Sequence, residues 1–218
     1  TKKFLKNYDD AIHSFCHCLP NTWHLMSVML SCTSNINWFI NTFDSSINEI
    51  TNYLKDSMSS DALMKNSPYY LPYLTGERTP LNDPHVRASF HNMGIETDRK
   101  TLVFSLIEGI SFGLYDNYQA LSKTGIELNN LFVIGGGSKN KDWIELLASI
   151  LDRDLAITEA SDAMAAYGAA RLAYLGYNNL KHQDVLKSPS VKEIIKKNNN
   201  TKSMLQDRFV EWKKYYVN

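Results

Sequence analysis

Gly135, Gly136 and Gly137 stand between an apolar run, "LFVI", and a polar stretch, "SKNKDW". Glycine permits positive φ and carries no Cβ, so a flat ligand can lie against the backbone there. A helix beginning just beyond would add N–H groups that lack partners within the helix. The spacing matches neither G-x-G-x-x-G nor G-x-x-x-x-G-K-[ST], so the two common phosphate fingerprints do not apply. Asp142 would stand in the first helical turn and partly cancel the helix dipole. Such a bend suits an adenine or a ribose better than a phosphate. A sharp strand-to-helix turn whose glycines serve only packing is the alternative reading of the same residues.

Other reactive side chains point to structure. In a strand "AIHSFCHCL", His13, Phe15 and His17 face one way while Ser14, Cys16 and Cys18 face the other. A tetrahedral metal site would need ligands from both faces at once, so no metal ligand is assigned. Glu77 and Arg78 of "GERTP" are expected to form an ion pair that holds their own loop rather than to catalyse. His85 and His91 are expected on the surface of that loop.

The elements around these residues follow from periodicity. "AIHSFCHCL" and "TWHLMSVML" read as a hairpin around Pro20 and Asn21. Ile36, Phe39, Ile40 and Phe43 recur at helical spacing, as do Ile47, Ile50 and Leu54. "YYLPYL" is a short β run, at an edge or irregular because of Pro72, and "TGERTPLNDPHVRASFHNMG" reads as a long loop. Asp98 offers an N-cap to a long helix with Leu102, Leu106, Ile110, Leu114, Tyr118 and Leu121 on its apolar face, stopped by Gly125. Gly109 and Gly113, one turn apart, would let that helix lie close to a neighbour. Next come a strand, the helix "KDWIELLASIL", the strand "LAITE" and the helix "DAMAAYGAARLAYLG", a βαβα order that predicts a mixed sheet covered by helices. "KEIIKKNNNTK" reads as a loop or frayed helix, before a last amphipathic run, "MLQDRFVEWKKYY".

The 218 residues suffice for one sizeable core. With 23 basic and 23 acidic side chains, the chain lacks the cationic excess that nucleic acid or an anionic membrane surface would attract. No run approaches the roughly 18 apolar residues of a membrane span. The three cysteines, an odd count, favour a reducing compartment, hence the cytoplasm. The opening "TKKFLKNYDD" has no apolar signal core and no initiator Met, and reads as the start of a piece of a longer protein.

In order, "AIHSFCHCLPNTWHLMSVMLSCTSNINW", "YYLPYLTGERTPLNDP", "LIEGISFGLYDNYQAL", "LFVIGGGSKNKDWIELLASIL" and "DAMAAYGAARLAYLG" resemble the C-terminal half of the FGGY family of carbohydrate kinases, on its xylulose-type branch. The resemblance runs from about Ala11 to about Gly176. It implies a ribonuclease H-like (actin-like ATPase) domain over residues 1–178, with 179–218 a polar linker and a helix packed on the same domain. It further implies ATP with Mg²⁺, which arrives with the nucleotide, and D-xylulose in the intact enzyme, the γ-phosphoryl passing to the 5-hydroxyl. The family's catalytic aspartate, first phosphate loop and most sugar contacts belong to an N-terminal domain upstream of Thr1. No catalytic residue is therefore expected in this chain, which would not phosphorylate alone. By position, the adenosine loop falls on Gly135, Gly136 and Gly137 with a polar side chain from Asn140 or Lys141. Thr33, with Asn37 one turn on, would face the ribose or phosphates, or else serve as an N-cap and an exposed helical Asn. Where the family has a glycine-rich turn around an Asp, this chain keeps Asp162 but carries Ala160, Ser161 and Met164.

Two other functions compete. One is a non-catalytic nucleotide-binding or assembly module of the same fold. The other is a Rossmann-like transferase, which Glu159 after "IT" supports only without the fingerprint that should precede it. Apolar surface left on the cleft face would also offer a route to a homodimer.

Overall fold

The computed structural model describes residues 1–5, 11–159 and 161–216. It opens with a hairpin, β1 (His13–Cys16) and β2 (Trp23–Met26), paired antiparallel with Cys16 opposite Trp23. Asn21 in the connection adopts φ 52°, a left-handed conformation that Asn tolerates better than most residues. Helices α1 (Ser34–Phe43), α2 (Ile47–Met58) and α3 (Asp61–Asn66) follow, the last two capped by the hydroxyls of Ser46 and Ser60.

Strand β3 (Tyr69–Leu71) ends at Pro72 and pairs antiparallel with β4 (Ser89–His91). The long loop expected from the density of turn formers therefore contains a strand, short enough for its flanking residues to hide it. Helix α4 (Arg99–Lys123) starts at Asp98 with a reciprocal cap: the Asp98 carboxylate accepts from Thr101 N–H, and the Thr101 hydroxyl bonds back to Asp98 N–H. Gly125, at φ 78°, follows its end. Its middle is buried all round rather than along one stripe, because α4 packs against α1, α2, β3 and the next helix, α5 (Lys141–Leu151). A Cβ on Gly109 would collide with the Tyr70 carbonyl, and one on Gly113 would stand 2.9 Å from Met29 Cε.

The βα order predicted for the second half is present. β5 (Phe132–Val133) and β6 (Leu155–Thr158) run parallel on either side of α5. β7 (Val191–Ile195) closes a mixed three-stranded sheet, antiparallel to β6. The polar, Lys- and Asn-rich sequence here predicts a loop or frayed helix. Its Lys and Glu residues belong instead to an edge strand, where charged side chains face water. Helix α6 (Met164–Tyr177) buries none of its described residues and is followed by the short α7 (His182–Val185). The last helix, α8 (Lys202–Lys213), places Leu205, Phe209 and Trp212 in the same apolar core as Phe104, Ile107 and Phe112 of α4. No helix among the described residues is long and apolar enough to cross a membrane.

Candidate functional site

A groove of about 430 Å³ opens between the first turns of α1 and α2 on one side and the bend between β5 and α5 on the other. Ile107 of α4 and Trp143 of α5 lie at its base, and Ile36, Ile47 and Ile50 add apolar wall. The bend continues as a 3-10 turn, Gly136–Lys139, before α5 begins.

The three glycines do three different things. Gly135 turns the chain at φ 86° and ψ −177°, a conformation essentially restricted to glycine. Gly136 borders the groove with open space where a Cβ would stand. Gly137 lies against the Trp143 ring, where a Cβ would come within 3.0 Å of Cζ3. The two readings of the bend, ligand approach and packing, thus apply to different residues in it.

The bend is fixed from behind. Ser138 is buried; its hydroxyl donates to the Gly135 carbonyl at 2.7 Å and meets the Ser161 hydroxyl at 2.8 Å. Gly135 N–H donates to the Ser161 carbonyl at 2.8 Å. Ser161 therefore ties the two loops together. Ala160 lies outside the described residues. Trp143 is held by Nε1 donating to Ser111 Oγ at 3.0 Å.

Thr33, Asn37, Gly136, Gly137 and Asn140 all line this groove, although the chain separates the first two from the others by about a hundred residues. Thr33 occupies the N-cap position of α1 but its hydroxyl caps nothing, and Asn37 is exposed one turn on. Asn140 caps α5, its Oδ1 accepting from Trp143 N–H at 3.1 Å, while Nδ2 points to Thr51 Oγ1 at 3.4 Å. Lys141 does not reach the groove: its ammonium pairs with Glu193 of β7 at 2.8 Å. Between the two polar candidates, the groove wall belongs to Asn140.

Sequence reasoning missed Lys139, Thr51 and the isoleucines of α2. Among the described residues Lys139 is the one charged residue along the groove, and its ammonium lies 3.0 Å from Asp162. That contact holds the Asp162 carboxyl below its usual range. The position of Lys139 two residues after the last glycine was a usable signal. Ile47, 57% exposed at the start of α2, gave none, since its apolar neighbour is the groove itself.

Two loop expectations need correction. Glu77 and Arg78 form no side-chain ion pair: Glu77 Oε1 accepts backbone N–H groups from Leu30 at 3.0 Å and Arg78 at 2.7 Å, while the Arg78 guanidinium meets His13 Nε2 at 3.0 Å. Adjacent residues in an extended loop point apart, so each finds a partner elsewhere. His91 is not on a surface loop but on β4, stacked on Tyr215 at 4.4 Å, where burial holds its pKa down. His85 is exposed in the loop, as expected.

Chemically, the groove offers an apolar base, a side-chain-free edge at Gly136, hydrogen-bonding groups from Thr33, Asn37, Thr51 and Asn140, and one cation. Its lining includes no carboxylate and no imidazole among the described residues. Among the described residues no three His, Cys, Asp or Glu side chains cluster as a metal site.

Known proteins are similar to this chain in sequence and in fold. Residues 4–177 match the family model described as the FGGY family of carbohydrate kinases, C-terminal domain. The chain is 34% identical over 175 residues to the xylulose kinase of Escherichia coli, covering 80% of this chain and 36% of that protein. It is 34% identical over 168 residues to the xylulose kinase of Staphylococcus xylosus, covering 77% of this chain and 34% of that one. The crystal structure of a xyloylose kinase from Brucella ovis superposes with a TM-score of 0.88 at 32% identity, over 98% of this chain and 43% of its own. The chain thus spans little more than a third of the length of these curated relatives. Both the sequence match and the shared architecture lead to one conclusion: the chain belongs to the FGGY family of carbohydrate kinases, and what it carries is that family's C-terminal domain, of the ribonuclease H-like (actin-like ATPase) fold.

Proposed function

We propose that the groove takes the adenosine half of ATP, and that the chain serves as the nucleotide side of a xylulose kinase. In that reaction the γ-phosphoryl of Mg-ATP passes to the 5-hydroxyl of D-xylulose. The observation that carries the reading is the convergence of Thr33 and Asn37 on the open backbone of Gly136 and Gly137. A purine fits against the Ile47 and Ile50 side of the groove, with its edge over Gly136, where any Cβ would stand in its place. The uncommitted Thr33 hydroxyl and Asn37 amide suit ribose or phosphate oxygens, and Lys139 supplies a positive charge at the mouth. Mg²⁺ would travel with the phosphates, neutralising charge as it does in other phosphoryl transfers. The similarity to xylulose kinases supports the choice of sugar.

With no acid or imidazole along the groove among the described residues, this chain alone is expected to bind nucleotide without phosphorylating sugar. The sugar and the base that deprotonates it belong to a second domain of the kind that makes up the rest of its relatives' length. Calorimetry of the chain with Mg-ATP should show weak binding, and a coupled assay with D-xylulose should show no turnover. Sugar phosphorylation by the chain alone would overturn the assignment of roles, and the absence of any nucleotide binding would overturn the groove.

A further inference from the structure

Glu77 stands outside the groove, 2% exposed, in the loop after β3. Its Oε1 accepts from Leu30 N–H, and its Oε2 has no partner among the described residues. A buried carboxylate loses much hydration, and leaving one oxygen unmatched adds to that penalty. Of the two backbone groups that Oε1 accepts from, Arg78 N–H belongs to the same loop, whereas Leu30 N–H belongs to the segment that enters α1.

The rest of the loop grips the same segment. Val28 and Thr79 exchange hydrogen bonds, Val28 N–H to Thr79 Oγ1 and Thr79 N–H to Val28 O, each 3.0 Å. Ser31 Oγ meets Thr75 Oγ1 at 2.9 Å. The loop is in turn fixed to α4 by Asn117 Nδ2 donating to the Thr79 carbonyl at 3.1 Å. From Ser31 the chain continues directly into the first turn of α1, where the Ser31 carbonyl accepts from Asn35 N–H at 3.1 Å. Thr33 lies within that turn.

We propose that Glu77 is a positioning residue for the groove: by holding Leu30 N–H it sets where Thr33 and Asn37 stand opposite Gly136 and Gly137. The proposal rests on the nucleotide reading of the groove, and two measurements separate the two. The first is Mg-ATP affinity of the full chain, by calorimetry, for Glu77→Ala, for Glu77→Gln, which keeps an acceptor, and for Asp98→Ala, which strips the α4 cap without touching this loop. Glu77→Ala should weaken binding at least tenfold, Glu77→Gln by less than threefold, and Asp98→Ala by less than twofold. Equal losses in Glu77→Ala and Asp98→Ala would mean a stability effect only and would overturn the proposal.

The second measurement needs no ligand. Amide hydrogen exchange over residues 33–37 should quicken at least tenfold in Glu77→Ala, while the central amides of α4 keep their protection. Unchanged exchange over 33–37 overturns the positioning role whatever the nucleotide does. If the unaltered chain binds no Mg-ATP, the nucleotide reading fails by itself and exchange decides the role of Glu77. Should Glu77→Ala not fold, Glu77→Asp, with its carboxylate one methylene short of Leu30, is judged by the same criteria.

Discussion

Ile107 and Glu108 are neighbours on α4, yet they belong to opposite kinds of surface. Ile107 looks into the groove; Glu108, 1% exposed, faces α8. At that junction polar groups are matched within the protein. Glu108 accepts from Arg208 Nε and Nη2 at 2.6 Å each, and the remaining guanidinium N–H groups reach the carbonyls of Lys65, Ser67 and Pro68. The Tyr69 ring lies 4.4 Å from the guanidinium carbon. In the groove, the side chains of Thr33 and Asn37 have no such partners among the described residues. A polar group sealed in the interior must be satisfied by the chain itself, whereas one left uncommitted beside an opening is available to a ligand. The contrast separates, on one helix, a face sealed within the protein from a face open to a groove.

The sharpest test breaks the matched side. Arg208→Met leaves Glu108 buried without a counter-charge and should lower stability by about 3–5 kcal/mol in urea denaturation. Arg208→Met combined with Glu108→Leu should recover most of that loss, because two apolar groups need no match. A double variant as unstable as the single one would show that the junction depends on more than charge pairing. Next in size is Gly109→Ala, whose methyl would meet the Tyr70 carbonyl. Forcing α4 away from β3 should lower stability by about 1–3 kcal/mol.

A smaller effect concerns Asp98, whose carboxyl is held below its usual range first by Thr101 N–H. A depressed folded value means that the cap stabilises above the unfolded carboxylate pKa, about 3.9, and loses that contribution as pH falls through the folded one. Asp98→Ala should be less stable by about 1 kcal/mol at pH 7. Its deficit should close as pH falls through the lowered native value and the cap protonates; a deficit independent of pH would deny the cap its charge. The smallest stability change is expected for Gly136→Ala, within about 0.5 kcal/mol because open space receives the methyl. The same variant should lose several-fold in Mg-ATP affinity, so a change in binding without a change in stability would place Gly136 with recognition.

Much of this contrast was legible beforehand, and the reasons differ by element. The α4 cap, the βαβ unit and the glycine bend announce themselves through local residue types. Neither the edge strand β7 nor β4 could be read so, because an edge strand with charges, or one of three residues, has no apolar alternation. The single stripe predicted for α4 failed because the number of neighbours around a helix is a property of the whole fold. Lys141 and Asn140 could not be separated by sequence, since the choice depends on Glu193, fifty residues on, claiming one of them. Thr33 and Asn37 were placed by resemblance; nothing in their own spacing points across to residue 136.

The carbonyl of Tyr70 fills the place that a methyl on residue 109 would take. The separation between α4 and β3 is therefore fixed by main-chain atoms, which are the same whatever the surrounding side chains become. Substitutions can accumulate on both flanks without moving that contact, so the long helix stays a constant ruler for the strand, the loop beyond it and the entry to α1 while the sequence drifts.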